Sequence, residues 1–284
     1  MTTPIRPWQI AALEGRPPAP TVLVLGGFMT SPMVYRGFVR RLCERGAADV
    51  VVGDIWTPDW LLAAPRGLGP IVMRSGRGLL EAGRRSASGS LGAPVMVIGH
   101  SAGGMSARLL TSPVPFQDRH LRAAGRIGAI VMLGTPNVVA DAGRLGQQVG
   151  ARAASFANRE VPGPCFAPRV GYLAVASRVV VGRPRGTPRE RAAWRLYRSL
   201  LDHPDAASIE GDGLIPVASA LLPGAPSLVL DDANHGPWPG REWYGSERFL
   251  DRWWSEALET WRAALVARAG EALRARPRAL VPPA

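Results

Sequence analysis

Short, wholly apolar runs punctuate this chain, and longer stretches of helical spacing separate them. Val22 to Leu25, Val50 to Val52, Val95 to Ile98, Ile127 to Leu133, Tyr172 to Val175 and Ser227 to Leu230 each read as a buried strand. Pro32 to Arg45 carries Met33, Phe38 and Leu42 at helical spacing and stops at Gly46. Gly69 to Arg85 predicts a further helix, with Gly83 to Gly92 as a loop-like tail, and Ser101 to Leu110 predicts another. A long final helix, about Ser246 to Arg274, has an apolar stripe through Leu250, Trp254, Leu258, Trp261 and Leu265. Strands apolar on both faces, alternating with helices, predict the α/β class, with a mostly parallel central sheet flanked by helices on both faces. The whole chain, 1–284, reads as one domain. Segments 137–170 and 180–211 are long for connections in such a sheet. They predict a small cap over the carboxyl ends of the strands, where open α/β sheets bind ligands. Residues 1–20 and 275–284 are expected to be flexible tails, on account of their Pro-rich stretches.

Composition narrows the classes. With 284 residues, 46% of them hydrophobic, the chain can bury one large core. No apolar run reaches the roughly 20 residues needed to span a bilayer. Met1 to Gln9 lacks the charged-then-apolar pattern of a signal peptide, so a soluble cytoplasmic protein is expected. The net charge of +12 raises nucleic acid as a partner, yet the sequence contains no lysine, so all 34 basic residues are arginine. They are spread along the chain rather than clustered, and clustering is the more informative footprint. No nucleic-acid partner is expected, while peripheral contact with an anionic membrane stays open. Cys43 and Cys165 lie far apart, form no metal-ligand cluster, and are expected to be reduced and structural. No metal or organic cofactor is expected.

The chemistry starts at Gly99-His100-Ser101-Ala102-Gly103. As a bare pentapeptide, G-x-S-x-G is weak; its setting is not. A β-branched and apolar strand leads in, and the helix-compatible run Met105 to Leu110 leads out. In that setting a sharp turn lifts a serine hydroxyl above the sheet. Gly99 and Gly103 are the elbow positions at which side chains would collide. An oxyanion needs backbone N–H donors. Ala102 N–H, at the helix start, is one candidate. The other comes from the loop Gly26-Gly27-Phe28-Met29 after the first strand, with Phe28 N–H first and Met29 N–H in reserve.

A serine nucleophile needs a base, normally histidine, and the chain has four histidines. His100 adjoins the serine. His120 comes too early for the order serine, acid, histidine expected on such a sheet. His203 precedes Pro204 in the second long segment and reads as a surface residue. His235 remains, in a loop directly after the last strand. For the acid, Asp212 in Gly211-Asp212-Gly213-Leu214-Ile215-Pro216 is preferred, since its flanking glycines free it to turn inward. Asp141, Glu210, Asp231 and Asp232 are its rivals. Asp212 would orient the imidazole and stabilise its charged form.

These segments resemble the α/β-hydrolase superfamily, and within it the lipase/esterase-like serine hydrolases related to bacterial and plant triacylglycerol lipases. The matching stretches are VLVLGGF at Val22–Phe28, VIGHSAGGMSARLL at Val97–Leu110, MLGTPN at Met132–Asn137, GDGLIPVASALLPGA at Gly211–Ala225, and the isolated His235. The resemblance implies an α/β-hydrolase fold, a Ser101–Asp212–His235 triad and hydrolysis of carboxylic esters of small molecules or lipids, lipid-like esters among them. Two positions depart from the pattern. Gly26-Gly27-Phe28 stands where many members have His-Gly before the oxyanion donor, and Asn137 where a histidine often follows Leu-Gly-Thr-Pro. A thioesterase or acyltransferase on the same triad, or a ligand-binding pseudoenzyme of the fold, are the alternatives.

Overall fold

The structure is a computed structural model and describes residues 4–63, 67–140, 149–201 and 207–275. Its centre is a sheet of strands β1 (Thr21–Leu25), β2 (Asp49–Val52), β3 (Val95–His100), β4 (Ile127–Leu133), β5 (Gly171–Ser177) and β8 (Ser227–Leu230), in the order β2-β1-β3-β4-β5-β8. Every pairing is parallel. All six expected strands are present, each within a residue or two of its expected ends. Alternation along β1 shows why both faces read as apolar. Leu23 and Leu25 join the core on one side of the sheet, Val22 and Val24 the core on the other.

Helices α4 (Gly69–Gly89), α5 (Ala102–Leu110) and α6 (Val149–Glu160) contribute to the first core. Helices α1 (Pro7–Leu13), α2 (Arg36–Glu44) and α9 (Glu247–Arg274) contribute to the second. The chain steps from β1 to β2 in one direction through α2, then crosses back by α4 to β3 on the other side of β1. This reversal separates the carboxyl ends of β1 and β3, and such a switch point is where α/β sheets bind ligands.

Several expectations change. Helix α4 continues through Gly83 to Gly89, because Ala82 and Ser86 are buried and Ser86 Oγ donates to the Ala93 carbonyl at 2.6 Å. Residues 7–13, expected within a flexible tail, form α1, which buries Trp8 and Ala12 in the core shared with α9. Of the carboxyl-terminal tail, residues 276–284 lie outside the described residues. The two expected cap segments go to different places. In the first, α6 buries Ala153, Ala154 and Ala157 in the core on the α4–α5 side of the sheet, while 141–148 of this segment and 202–206 of the second lie outside the described residues. The second pairs β6 (Val180–Gly182) antiparallel with β7 (Ile209–Gly211) and packs α7 (Pro188–Leu201) on them through Ala193 and Tyr197. Cys43 and Cys165 are free and exposed, so neither is a buried core residue.

Candidate active site

Ser101 follows β3 directly and serves as the N-cap of α5, with φ 53° and ψ −124°. A non-glycine residue there is strained by about 1–3 kcal/mol, and such strain gathers at functional turns. Its N–H donates to the Leu133 carbonyl at the end of β4, at 2.9 Å, which holds the turn against the neighbouring strand. The elbow closes only because its flanks are bare. A Cβ on Gly99 would collide with the Gly103–Gly104 backbone, and one on Gly103 with the Leu25 carbonyl. Ala102 opens α5, where amide N–H groups have no partner within the helix and the helix dipole is positive.

The loop after β1 lies against this turn: a Cβ on Gly27 would stand 2.9 Å from Ser101 Cβ. Thr30 N–H donates to the Gly27 carbonyl at 3.2 Å, making a tight turn with Met29 at φ 60°. Gly27 N–H is already committed to Tyr35 Oη at 2.9 Å. The Phe28 and Met29 amides are then the candidates this loop offers. The Phe28 side chain is 60% exposed and meets buried Trp60 edge-on, with ring centroids 5.5 Å apart.

On the far side of β4, His235 Nδ1–H donates to Asp212 Oδ2 at 2.7 Å, and both side chains are buried. The backbone ties them again, His235 N–H donating to the Asp212 carbonyl at 3.1 Å. Asp212 has turned inward as its flanking glycines predict. Leu214 and Ile215 N–H donate to its Oδ1 at 3.0 and 2.8 Å, and Tyr244 O–H adds a second donor to Oδ2 at 2.9 Å. Hydrogen bonds to the charged form are what make a buried carboxylate tolerable. Tyr244 stays protonated, since burial and the Asp212 charge push its hydroxyl well above the ordinary tyrosine value. Gly134, just past β4, packs here so closely that a Cβ would stand 2.7 Å from Asp212 Oδ2 and 3.2 Å from His235 Nδ1. Ser101, through Leu133, and the Asp212–His235 pair, through Gly134, thus flank the same strand end.

His100 joins the two sides. Its ring lies 5.0 Å from that of His235, centroid to centroid. Its Nε2 is 2.7 Å from the His235 carbonyl, and its Nδ1 2.8 Å from Tyr35 Oη. Complete burial, and then the nearby His235, lower its pKa to about 3. A neutral His100 beside His235 is therefore no competing base.

The rivals separate cleanly. Asp231 pairs with Arg178 at 2.7 Å and Asp232 with Arg248 at 2.7 Å on the surface, and Glu210 is exposed on β7. His120 is exposed. Asp141 and His203 lie outside the described residues. Sequence reasoning missed the tyrosines: Tyr244 on Asp212, Tyr35 on Gly27 and His100, and Tyr197 on α7, whose Oη accepts Gly213 N–H at 2.7 Å. All three are fully buried, and a buried tyrosine hydroxyl needs a polar partner. Among the described residues no cluster of histidine, cysteine or carboxylate side chains could hold a metal ion. Nor is any of their helices long and apolar enough to cross a membrane.

No protein-family model and no curated protein matches the chain. Solved structures are similar to it. Thermogutta terrifontis esterase 2 phosphoramylated by tabun is 14% identical, covering 85% of this chain and 84% of its own, with a TM-score of 0.48. Est1E from Butyrivibrio proteoclasticus is 11% identical over 90% and 89% of the two chains, at 0.41. The RedJ-thioesterase from the prodiginine biosynthetic pathway in Streptomyces coelicolor is 16% identical over 85% and 91%, at 0.42. The chain's own sheet order, its parallel pairings and the strand–serine–helix elbow give it the α/β-hydrolase fold.

Proposed function

We propose that this protein is a serine hydrolase acting on carboxylic esters through an acyl-enzyme. Ser101 Oγ attacks the acyl carbonyl while His235 Nε2 takes its proton. Asp212 holds His235 in the tautomer that leaves Nε2 free, and stabilises the imidazolium without taking the proton. Phe28 and Ala102 N–H groups receive the developing oxyanion. The imidazolium returns its proton to the departing alcohol. A water, deprotonated by His235, then releases the acid from Ser101. The observation that carries this reading is the buried His235–Asp212 pair, its carboxylate held by four donors, next to a serine on a strained strand-to-helix turn.

Exposed apolar side chains around the site favour lipid-like esters. Phe28 and Met29 on the oxyanion loop, the former against Trp60 of α3 (Thr57–Ala63), and Trp238 beside His235 are exposed large apolar side chains. Together they offer an acyl chain a surface from which water is readily displaced.

The test is a series of p-nitrophenyl esters from acetate to palmitate, with matching thioesters, alongside labelling by a fluorophosphonate probe. Wild type should label and turn over, and Ser101→Ala should lose both, with kcat/KM down by on the order of 10⁴-fold or more. Ester turnover that survives Ser101→Ala would overturn the assignment. A folded wild type that neither labels nor turns over would indicate a ligand-binding use of the fold, and faster thioester turnover a thioesterase.

A further inference from the structure

We propose that Tyr35 and His100 are positioning residues that lock the oxyanion loop to the backbone of the base, so that donor and base keep one geometry. The proposal rests on the reading of Ser101 and His235 above. It is argued from the proton order, which the surroundings determine at each link. The His235 carbonyl can only accept, so His100 Nε2 carries the hydrogen at 2.7 Å. Neutral His100 then has a bare Nδ1, which must accept, and the group on it among the described residues is Tyr35 Oη at 2.8 Å. Tyr35 therefore spends its one proton on His100 at 2.8 Å rather than on the more distant Thr30 Oγ1 at 3.3 Å, and its oxygen lone pairs accept Gly27 N–H at 2.9 Å. Thr30 closes the other end of the same peptide turn, its Oγ1 donating to the Gly27 carbonyl at 2.7 Å.

The result is one directional chain: Gly27 N–H to Tyr35 Oη, Tyr35 O–H to His100 Nδ1, His100 Nε2–H to the His235 carbonyl. Tyr35 and His100 are buried, with Trp243 edge-on to both rings at 5.8 and 5.1 Å between centroids. Burial keeps Tyr35 protonated, its hydroxyl pushed up to about 12. The chain joins three separate parts of the sequence: the loop after β1, the residue before the nucleophile, and the loop after β8. Neither Tyr35 nor His100 touches the reacting atoms. Their effect is on where Phe28 N–H and His235 Nε2 stand relative to Ser101.

Three variants separate the links. Tyr35→Phe breaks the chain at its centre. His100→Gln can still donate to the His235 carbonyl but offers Tyr35 no equivalent acceptor. His100→Asn keeps an acceptor for Tyr35 and loses the reach to His235. With p-nitrophenyl acetate and active sites counted by fluorophosphonate titration, Tyr35→Phe and His100→Gln should lower kcat by about 10- to 100-fold, less than deleting an oxyanion donor outright. KM should stay within about twofold. Affinity for an aryl boronic acid, which adds to the serine as a tetrahedral anion, should fall in step with kcat/KM. The Tyr35→Phe/His100→Gln pair should be no worse than the worse single variant, because both cut the same link. His100→Asn should retain more boronate affinity than His100→Gln. If kcat per titrated site and boronate affinity in Tyr35→Phe stay within twofold of wild type, the positioning role is wrong while the serine-hydrolase reading stands. Losses that appear only as fewer titratable sites would likewise overturn it, as a purely structural role. A wild type without titratable serine would instead overturn the reading on which the proposal rests.

Discussion

On one side of Ser101, Asp212 and His235 are buried and every oxygen of the carboxylate is occupied by donors. By contrast, Phe28 on the oxyanion loop and Trp238 beside His235 stand in the open with 60 and 44% of their surface exposed. Proton transfer tolerates little misplacement, so its groups are held by several hydrogen bonds each. Hydrophobic contact is non-directional, and an acyl chain can be met by side chains held only loosely. The buried side is expected to control rate, and the open side to control preference among substrates.

The strongest way to break that division is at the acid. Asp212→Asn keeps the shape but favours the wrong imidazole tautomer, and should lower kcat by on the order of 10⁴-fold. A loss below tenfold in ester turnover would return the acid role to another carboxylate. The second test is thermodynamic. Native His100 stays neutral down to about 3, while in the unfolded chain it protonates below its ordinary 6.5. The unfolded state therefore binds more protons in that window. This contribution is present above about 6.5 and lost as pH falls, at about 1.4 kcal/mol per pH unit. Urea unfolding of His100→Gln should show a shallower decline than wild type between pH 6 and 4, even if its stability at pH 8 is lower; parallel curves would contradict the buried neutral imidazole.

A smaller effect is expected from Tyr244→Phe, which leaves Asp212 Oδ2 with one donor instead of two. A hydrogen bond to a charged group contributes about 1.5–3 kcal/mol, so kcat should fall roughly 10-fold with little change in KM. The smallest effects belong to the open side. Trp238→Ala should narrow the preference for long over short p-nitrophenyl esters by about three- to tenfold, leaving acetate turnover near wild type. Equal losses on acetate and palmitate would show that the two sides are not separable.

Much of the frame was legible residue by residue. A run such as Val95 to Ile98, apolar on both faces and bounded by Pro94 and Gly99, has few alternatives to a buried parallel strand. The elbow and the Asp212 loop were legible too, because glycine at fixed offsets around a serine or an aspartate has a steric meaning. Helix α4 was misjudged at Gly83, where glycine's low propensity was outweighed by burial of Ala82 and Ser86. Segment 137–170 suggested a cap by its length alone, and spacing did not reveal that Ala153, Ala154 and Ala157 of its helix α6 join the core beside α4 and α5. The amino-terminal segment looked like a tail because the apolar contacts of Trp8 and Ala12 are supplied by the core that α9 shares, far along the sequence.

The sequence by itself determined which residues could carry the chemistry: one serine on a strand-to-helix turn, His235 after the last strand, and a short set of acids led by Asp212 in workable order. Those follow from local sterics and chain order, which a linear reading sees. What only the tertiary structure decided is how those groups are held. Tyr244 on Asp212 and Tyr35 on His100 are bonds across 32 and 65 positions of sequence. A hydroxyl's partner depends on which buried polar atom folding brings within reach, and no spacing in the chain encodes that distance.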